Sequence, residues 1–323
     1  MVRRYMIGLA VLGFALGVQP LAAQDYPSRA VRVVIPFAAG AGTDLTGRII
    51  AQELSKRLGQ QFFFENKPGA AAQLGTDLVA KSPPDGYTLL WTVTDGLSVL
   101  PAVKVSVPYT IPDDFAFIGS VAQQPYAVAV KPKGAFKTLA DVVAFAKANP
   151  GKLNYGSAGV GSAPHMTMAL VSVTAGIQMV HVPFQGLGPA TNALIAGTVD
   201  IGLVTPVQVK PHVDSGTLQA LAVTSKQRSR VLPEVPTLQE TGLNVTAVVA
   251  YGLTAPARTP DAVVARLTQA LSETMNDRAV ADRFRELGFD LNTLLGSAYR
   301  DFIVQDLEQW RGVAKATNTK IEN

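Results

Sequence analysis

Short runs of β-branched residues alternate with helical patterns along most of this chain, and that alternation limits it to an α/β architecture. Val31-Arg32-Val33-Val34-Ile35 reads as a buried strand stopped by Pro36. Apolar pairs Leu45/Ile49 and Ile50/Leu54 at i,i+4 then predict a helix to about Leu58, with Asp44 as its N-cap. Gln61 to Glu65 is a second strand, residues 72–80 a helix, and Tyr87 to Thr92 a third strand. Further strands are predicted at Phe115–Val121, Tyr126–Val130, Leu153–Gly156, Gln178–Val182, Thr198–Val204 and Leu218–Val223. Thr138 with Asp141 forms a capping-box start for one intervening helix, and Ser162 caps another that Gly176 stops. After an extended stretch at Val245–Thr254 the chain is helical: Pro260 to Met275, Arg278 to Leu287 and Ser297 to about Lys315. The pattern implies parallel sheets covered on both faces, which bind ligands at the C-terminal ends of their strands.

The chain has 323 residues, more than one hydrophobic core comfortably serves, so two lobes are expected. Arg3 and Arg4 precede an uncharged apolar run from Ile7 to Val18, and Leu21-Ala22-Ala23 follows the break at Pro20. This is the layout of a secretory signal peptide cleaved near Ala23, too short for a permanent anchor. The chain downstream has no run of about 20 apolar residues, so the mature protein is expected to be soluble. Cysteine is absent, which excludes disulfides, thiolate metal sites and a lipid-anchored N-terminal Cys. An exported, cysteine-free chain fits the periplasm. A net charge of +4 is too small to argue for nucleic acid.

Two loops carry the anion chemistry. Pro36-Phe37-Ala38-Ala39-Gly40-Ala41-Gly42-Thr43-Asp44 joins a strand to a helix start. Its glycines admit close backbone approach, and free N–H groups with the helix dipole favour an anion. It lacks the Lys of a phosphate loop and the third Gly of a dinucleotide fingerprint. Ser157-Ala158-Gly159-Val160-Gly161-Ser162-Ala163-Pro164-His165 repeats the arrangement. Trp91 and Phe184 end strands and are candidates to line a pocket. No Gly-x-Ser-x-Gly elbow surrounds Ser157 or Ser162, and His165, His181 and His212 are too far apart for a helical zinc pair. No metal and no cofactor are expected.

The motifs Val34-Ile35-Pro36-Phe37, Gly42-Thr43-Asp44, Glu65-Asn66-Lys67-Pro68-Gly69 and Pro83-Pro84-Asp85-Gly86-Tyr87 occur in one order with several others. These include Asn154-Tyr155-Gly156-Ser157-Ala158-Gly159, His181-Val182-Pro183-Phe184-Gln185-Gly186 and Leu232-Pro233-Glu234-Val235-Pro236-Thr237. On them the chain resembles the Bug-type receptors of tripartite tricarboxylate transporters, periplasmic solute-binding proteins. The resemblance implies two doubly wound α/β lobes with a ligand cleft between them, similar to type II periplasmic binding proteins. It implies lobe 1 over residues 24–123 and 249–323 and lobe 2 over 124–248. It further implies a monomer, without enzymatic activity, that captures a small carboxylate and delivers it to membrane permease subunits.

The ligand-binding residues so implied are Phe37, Ala38, Ala39, Gly42, Thr43 and Asp44 on one loop, and Ser157, Ala158, Gly159, Gly161, Ser162 and His165 on the other. Thr92, Thr94 and Asp95, with Phe184, Gln185, Thr205 and Pro206, shape the rest of the pocket. Departures from the family pattern include Ala39, Ala41, Ala71 and Ala72 where Gly or Pro is common, and Gln185 where a cation is usual. They point to a mono- or dicarboxylate with an apolar or aromatic body rather than citrate. Two alternatives share the architecture. One is a sensor subunit presenting ligand to a signalling kinase. The other is a secreted hydrolase, which requires Ser157 or Ser162 to contact His165.

Overall fold

The computed structural model describes residues 26–39, 42–132 and 136–322. The signal-peptide reading and two residues of the first loop, Gly40 and Ala41, lie outside them. In chain order the first elements are β1 (Val31–Ile35), α1 (Gly42–Leu58), β2 (Phe62–Asn66), α2 (Gln73–Ala80) and β3 (Thr88–Val93). A wide π-type turn, Asp95–Val99, leads into α3 (Leu100–Val103), then β4 (Phe115–Pro125). The next elements are β5 (Ala127–Val130), α4 (Leu139–Ala148), β6 (Asn154–Ser157), α5 (Ala163–Ala175), β7 (Val180–Pro183) and α6 (Leu187–Ala196). They continue with β8 (Ile201–Val204), α7 (Pro206–Asp214) and β9 (Gln219–Val223). The last are β10 (Val248–Pro256), α8 (Asp261–Asn276), α9 (Arg278–Glu286), β11 (Asp290–Leu291) and α10 (Ser297–Ala316).

The strands form two sheets, one in each lobe. The first has the order β11-β4-β10-β3-β1-β2 and the second β7-β6-β8-β5-β9. In the first, β1 pairs in parallel with β2 and β3, and Val33 stands beside Phe64 and Leu89. Four of the five residues of β1 are buried, as its near-continuous apolar run requires when helices cover both faces.

The sheets are mixed, which corrects the expectation of parallel ones. β10 lies antiparallel between β3 and β4, and β5 lies antiparallel between β8 and β9. The reason is the path of the chain. β4 and β5 carry it into the second lobe and β10 carries it back, so these strands are not bound by the right-handed crossover of a βαβ unit.

The two crossings are knitted together by Thr224. Its Oγ1 accepts from the Tyr126 amide at 2.9 Å and donates to the Ala247 carbonyl at 2.6 Å. Its own amide donates to Tyr126 O, and the Ala247 amide donates to its carbonyl, each at 2.9 Å. One buried threonine therefore fixes both connecting segments. Among the described residues no helix is long and apolar enough to cross a membrane.

Candidate functional site

The ends of four strands converge where the lobes meet. From the first lobe come Phe37 after β1, Thr43 in the opening turn of α1, and Asp95 after β3. From the second come Ala158 after β6 and Thr205 after β8. With Gly42 and Leu187 they line a narrow, nearly closed cavity of about 20 Å³. This is the position that strand polarity dictates, outside the carboxyl ends of strands and against helix starts. Tyr126 at the first crossing and Val249 and Tyr251 of β10 close it from behind, and Pro164 of α5 completes the wall. No lysine or arginine lines it.

Two buried polar groups dominate. The Asp95 carboxylate, 3% exposed, reaches across the cleft and accepts from the Ala163 amide at the start of α5 at 2.8 Å. Burial pushes this carboxyl up to about 6, and the nearby charge of Asp306 acts in the same direction. Thr205, 1% exposed, has a hydroxyl with no hydrogen-bond partner among the described residues. A buried hydroxyl without a partner is costly, so its place in a cavity wall points to a ligand group that completes it. Behind them the Gln124 amide donates to Tyr251 Oη at 2.6 Å. Burial raises the Tyr126 and Tyr251 phenols, so both stay neutral donors.

A shallower cavity shares Phe37 and Ala158 and forms the mouth. Gly159, Phe184 and Gln185 line it from the second lobe, facing Ala70, Ala71 and Lys104. Gly159 adopts φ +128°, and a Cβ there would stand 3.4 Å from the Ala71 amide nitrogen, so the two backbones approach closely. Across the mouth Ala70, Ala71 and Ala72 take φ of 47°, 52° and 77°. Three successive left-handed alanines store strain, since each costs about 1–2 kcal/mol that glycine avoids. Ala70→Gly, at an exposed position, is expected to stabilise the protein by about 0.5–1 kcal/mol in urea unfolding, after glycine's larger unfolded-state entropy is deducted.

The remaining sequence candidates have other partners. Asp44 is not the N-cap of α1, which begins two residues earlier. Its carboxylate instead accepts from Arg48 at 3.0 and 3.1 Å and from Asn66 at 3.2 Å. Thr92 is buried in the first lobe with its hydroxyl 2.5 Å from Tyr299 Oη, and Thr94 accepts from the Ala250 amide at 3.4 Å. Ala38 and exposed Ala39 sit beside the entrance, and Pro206 opens α7 behind Thr205. Trp91 is fully buried, with its ring against Gly47 of α1.

Ser162 caps α5, accepting from the His165 amide. Gly161, at φ +83°, faces Leu100 and Ile321 of the other lobe. Ser157 Oγ lies 2.6 Å from His181 Nε2, not beside His165 as the hydrolase alternative requires. The parallel register Tyr155↔His181 of β6 and β7 sets this contact. The His165 and His181 rings stack at 3.9 Å, and burial lowers them to about 4 and about 3, so both are neutral at physiological pH. Ser157 is wholly buried and bonds Gly159 on both its donor and acceptor sides.

Sequence reasoning missed Tyr126, Tyr251, Val249 and Leu187. Tyr126 and Tyr251 offered a signal: a tyrosine inside an apolar strand needs a partner for its hydroxyl and marks a polar patch in the core.

Two α/β lobes, crossed twice by the chain and closed on a cavity at their strand ends, define a receptor with the periplasmic-binding-protein fold. Residues 46–319 match the model of the tripartite tricarboxylate transporter family receptor. BugT of Bordetella pertussis is 31% identical over 97% of this chain and 98% of its own length. An R. palustris protein solved with adipate superposes with a TM-score of 0.88 at 27% identity, covering 93% of this chain and 100% of that one. MatC from Rhodopseudomonas palustris with bound malate gives 0.83 at 29% identity, covering 89% and 99%. The chain belongs to the tripartite tricarboxylate transporter receptor family.

Proposed function

We propose that this protein is an exported receptor that captures a small carboxylate between its lobes and delivers it to the membrane permease subunits of a tripartite tricarboxylate transporter. The observation that carries this is the buried inter-lobe cavity holding the unpartnered Thr205 hydroxyl, in a family whose solved members include adipate and malate complexes. Phe37, Ala158, Pro164, Leu187 and Val249 make its walls mostly apolar, which suits a ligand with an apolar body better than a tricarboxylate. The lobes are residues 24–123 with 249–323, and 124–248, moving about the Thr224 node. The receptor works in the periplasm as a monomer after cleavage near Ala23, and binding rather than turnover is its task.

A thermal-shift screen of the mature chain against aliphatic and aromatic carboxylates tests the reading. A ligand at 100 times its Kd adds about 2.7 kcal/mol, a shift of several degrees for a chain of this size. If no carboxylate moves the transition, the proposal fails.

A further inference from the structure

The helix start that a ligand carboxylate would seek is already occupied from within the protein. Asp95 Oδ1 accepts the Ala163 amide at 2.8 Å, so the first lobe supplies its own anion to the N-terminus of α5. No lysine or arginine lines the inner cavity to offset that charge, and Asp306 of α10 adds a second carboxyl near it. A ligand carboxylate placed beside Asp95 would meet strong like-charge repulsion, little screened in the protein interior. A ligand donor placed there would instead find Asp95 as acceptor, with the open hydroxyl of Thr205 in the same cavity.

We propose that Asp95 determines the ligand's charge, so that the inner end of the cleft takes a hydrogen-bond-donating group and the receptor selects amino carboxylates over dicarboxylates. This rests on the carboxylate-receptor reading above and adds the direction of the ligand. Its carboxylate lies outward, at the mouth where the backbones of Ala70–Ala71 and Ala158–Gly159 face each other. Lys104, whose ammonium also donates to Gln73 Oε1 at 2.6 Å, stands there with Glu322 on the same wall, so the backbone amides rather than net charge receive it. Its ammonium lies inward on Asp95. The wall residues between the two ends are apolar, which suits a hydrocarbon spacer.

Calorimetry on the mature chain tests the charge rule with matched probes. These are four-, five- and six-carbon chains as ω-amino carboxylate, monocarboxylate and dicarboxylate, together with 4-aminomethylbenzoate against terephthalate. At pH 7.5 the amino carboxylate of the best-fitting set is expected to bind at least tenfold more tightly than its dicarboxylate, and Asp95→Asn to erase that preference. If the variant does not fold, the pH dependence of the native protein decides instead. The ionisable groups facing Asp95 are Asp306 from α10, Tyr126 at the crossing and Tyr251 from β10, and α5 presents only the Ala163 amide. Both tyrosines stay neutral, so acidification from pH 7.5 to 5 neutralises carboxyls alone. It should tighten dicarboxylates and weaken amino carboxylates. Tighter dicarboxylate binding by the native protein at pH 7.5, an unchanged preference in folded Asp95→Asn, or a pH-independent ratio overturns the charge rule and leaves the carboxylate receptor standing. Failure of every carboxylate to bind overturns the receptor reading, and the charge rule with it.

Discussion

Gly161→Val is expected to weaken ligand binding ten- to hundredfold. A Cβ at Gly161 would stand 2.6 Å from Leu100 Cδ1 and 3.1 Å from Ile321 Cδ1, both on the opposite lobe. The left-handed φ of +83° penalises valine in the open and closed receptor alike and so lowers overall stability without touching the closing equilibrium. The clash exists only when the lobes meet. Overpacking of this kind costs about 1–3 kcal/mol, because the side-chain ends it strikes can move part of the way, and each 1.4 kcal/mol is about tenfold in affinity. Leu100→Ala opens the space that the valine needs. Calorimetry on Gly161→Val and on Gly161→Val with Leu100→Ala separates the two effects. The double variant should regain most of the lost affinity while keeping the lower stability. Equal affinity in the native protein and Gly161→Val would show that this contact is not part of the closed, ligand-bound state.

The same contact marks what sequence can and cannot reveal here. Local signals were legible: the β-branched run of β1, the Thr138–Asp141 capping box confirmed by reciprocal hydrogen bonds, and the Ser162 cap. The helix α7 went unread, although Pro206 at its first position is a start signal, because Pro211 and its polar neighbours interrupt the apolar period. Strand direction was not legible for β5 and β10, since their antiparallel pairing follows from where the chain crosses between lobes. Nor were partners across the cleft. Asp95 and Ala163 are 68 positions apart, and no local spacing links them. The Ser157–His181 contact likewise depends on the register of two strands. Residue type and helix position show that a loop can hold an anion, whereas only the fold shows that Asp95 already does.

That internal anion has a thermodynamic cost. Asp95→Asn is expected to stabilise the ligand-free protein by roughly 3 kcal/mol at pH 7.5. Burial, with Asp306 nearby, moves the Asp95 carboxyl from 3.8 up to about 6. Each unit of such a difference is about 1.36 kcal/mol. A carboxyl raised in the folded state contributes stability that is fully present below about 3.8 and is lost as pH rises through about 6. At pH 7.5 the native protein therefore holds a buried charge that asparagine removes, while the asparagine oxygen can still accept from the Ala163 amide.

The stacked histidines act in the opposite sense. They are neutral in the fold down to about 4 and about 3, against 6.5 when exposed. The unfolded chain takes up their protons first, so stability falls as pH drops below about 6.5. In the native protein the Asp95 gain offsets part of the histidine loss between pH 6 and 4, so the profile is shallower than the histidines alone would make it. Asp95→Asn removes the compensating gain, so its advantage shrinks as acid is added and its stability falls more steeply. Guanidinium unfolding at pH 7.5, 6, 5 and 4.5 reads both effects in one series. A variant less stable than the native protein at pH 7.5, with a parallel pH profile, would mean that the Asp95 carboxylate stabilises the closed lobes as an ion rather than burdening them.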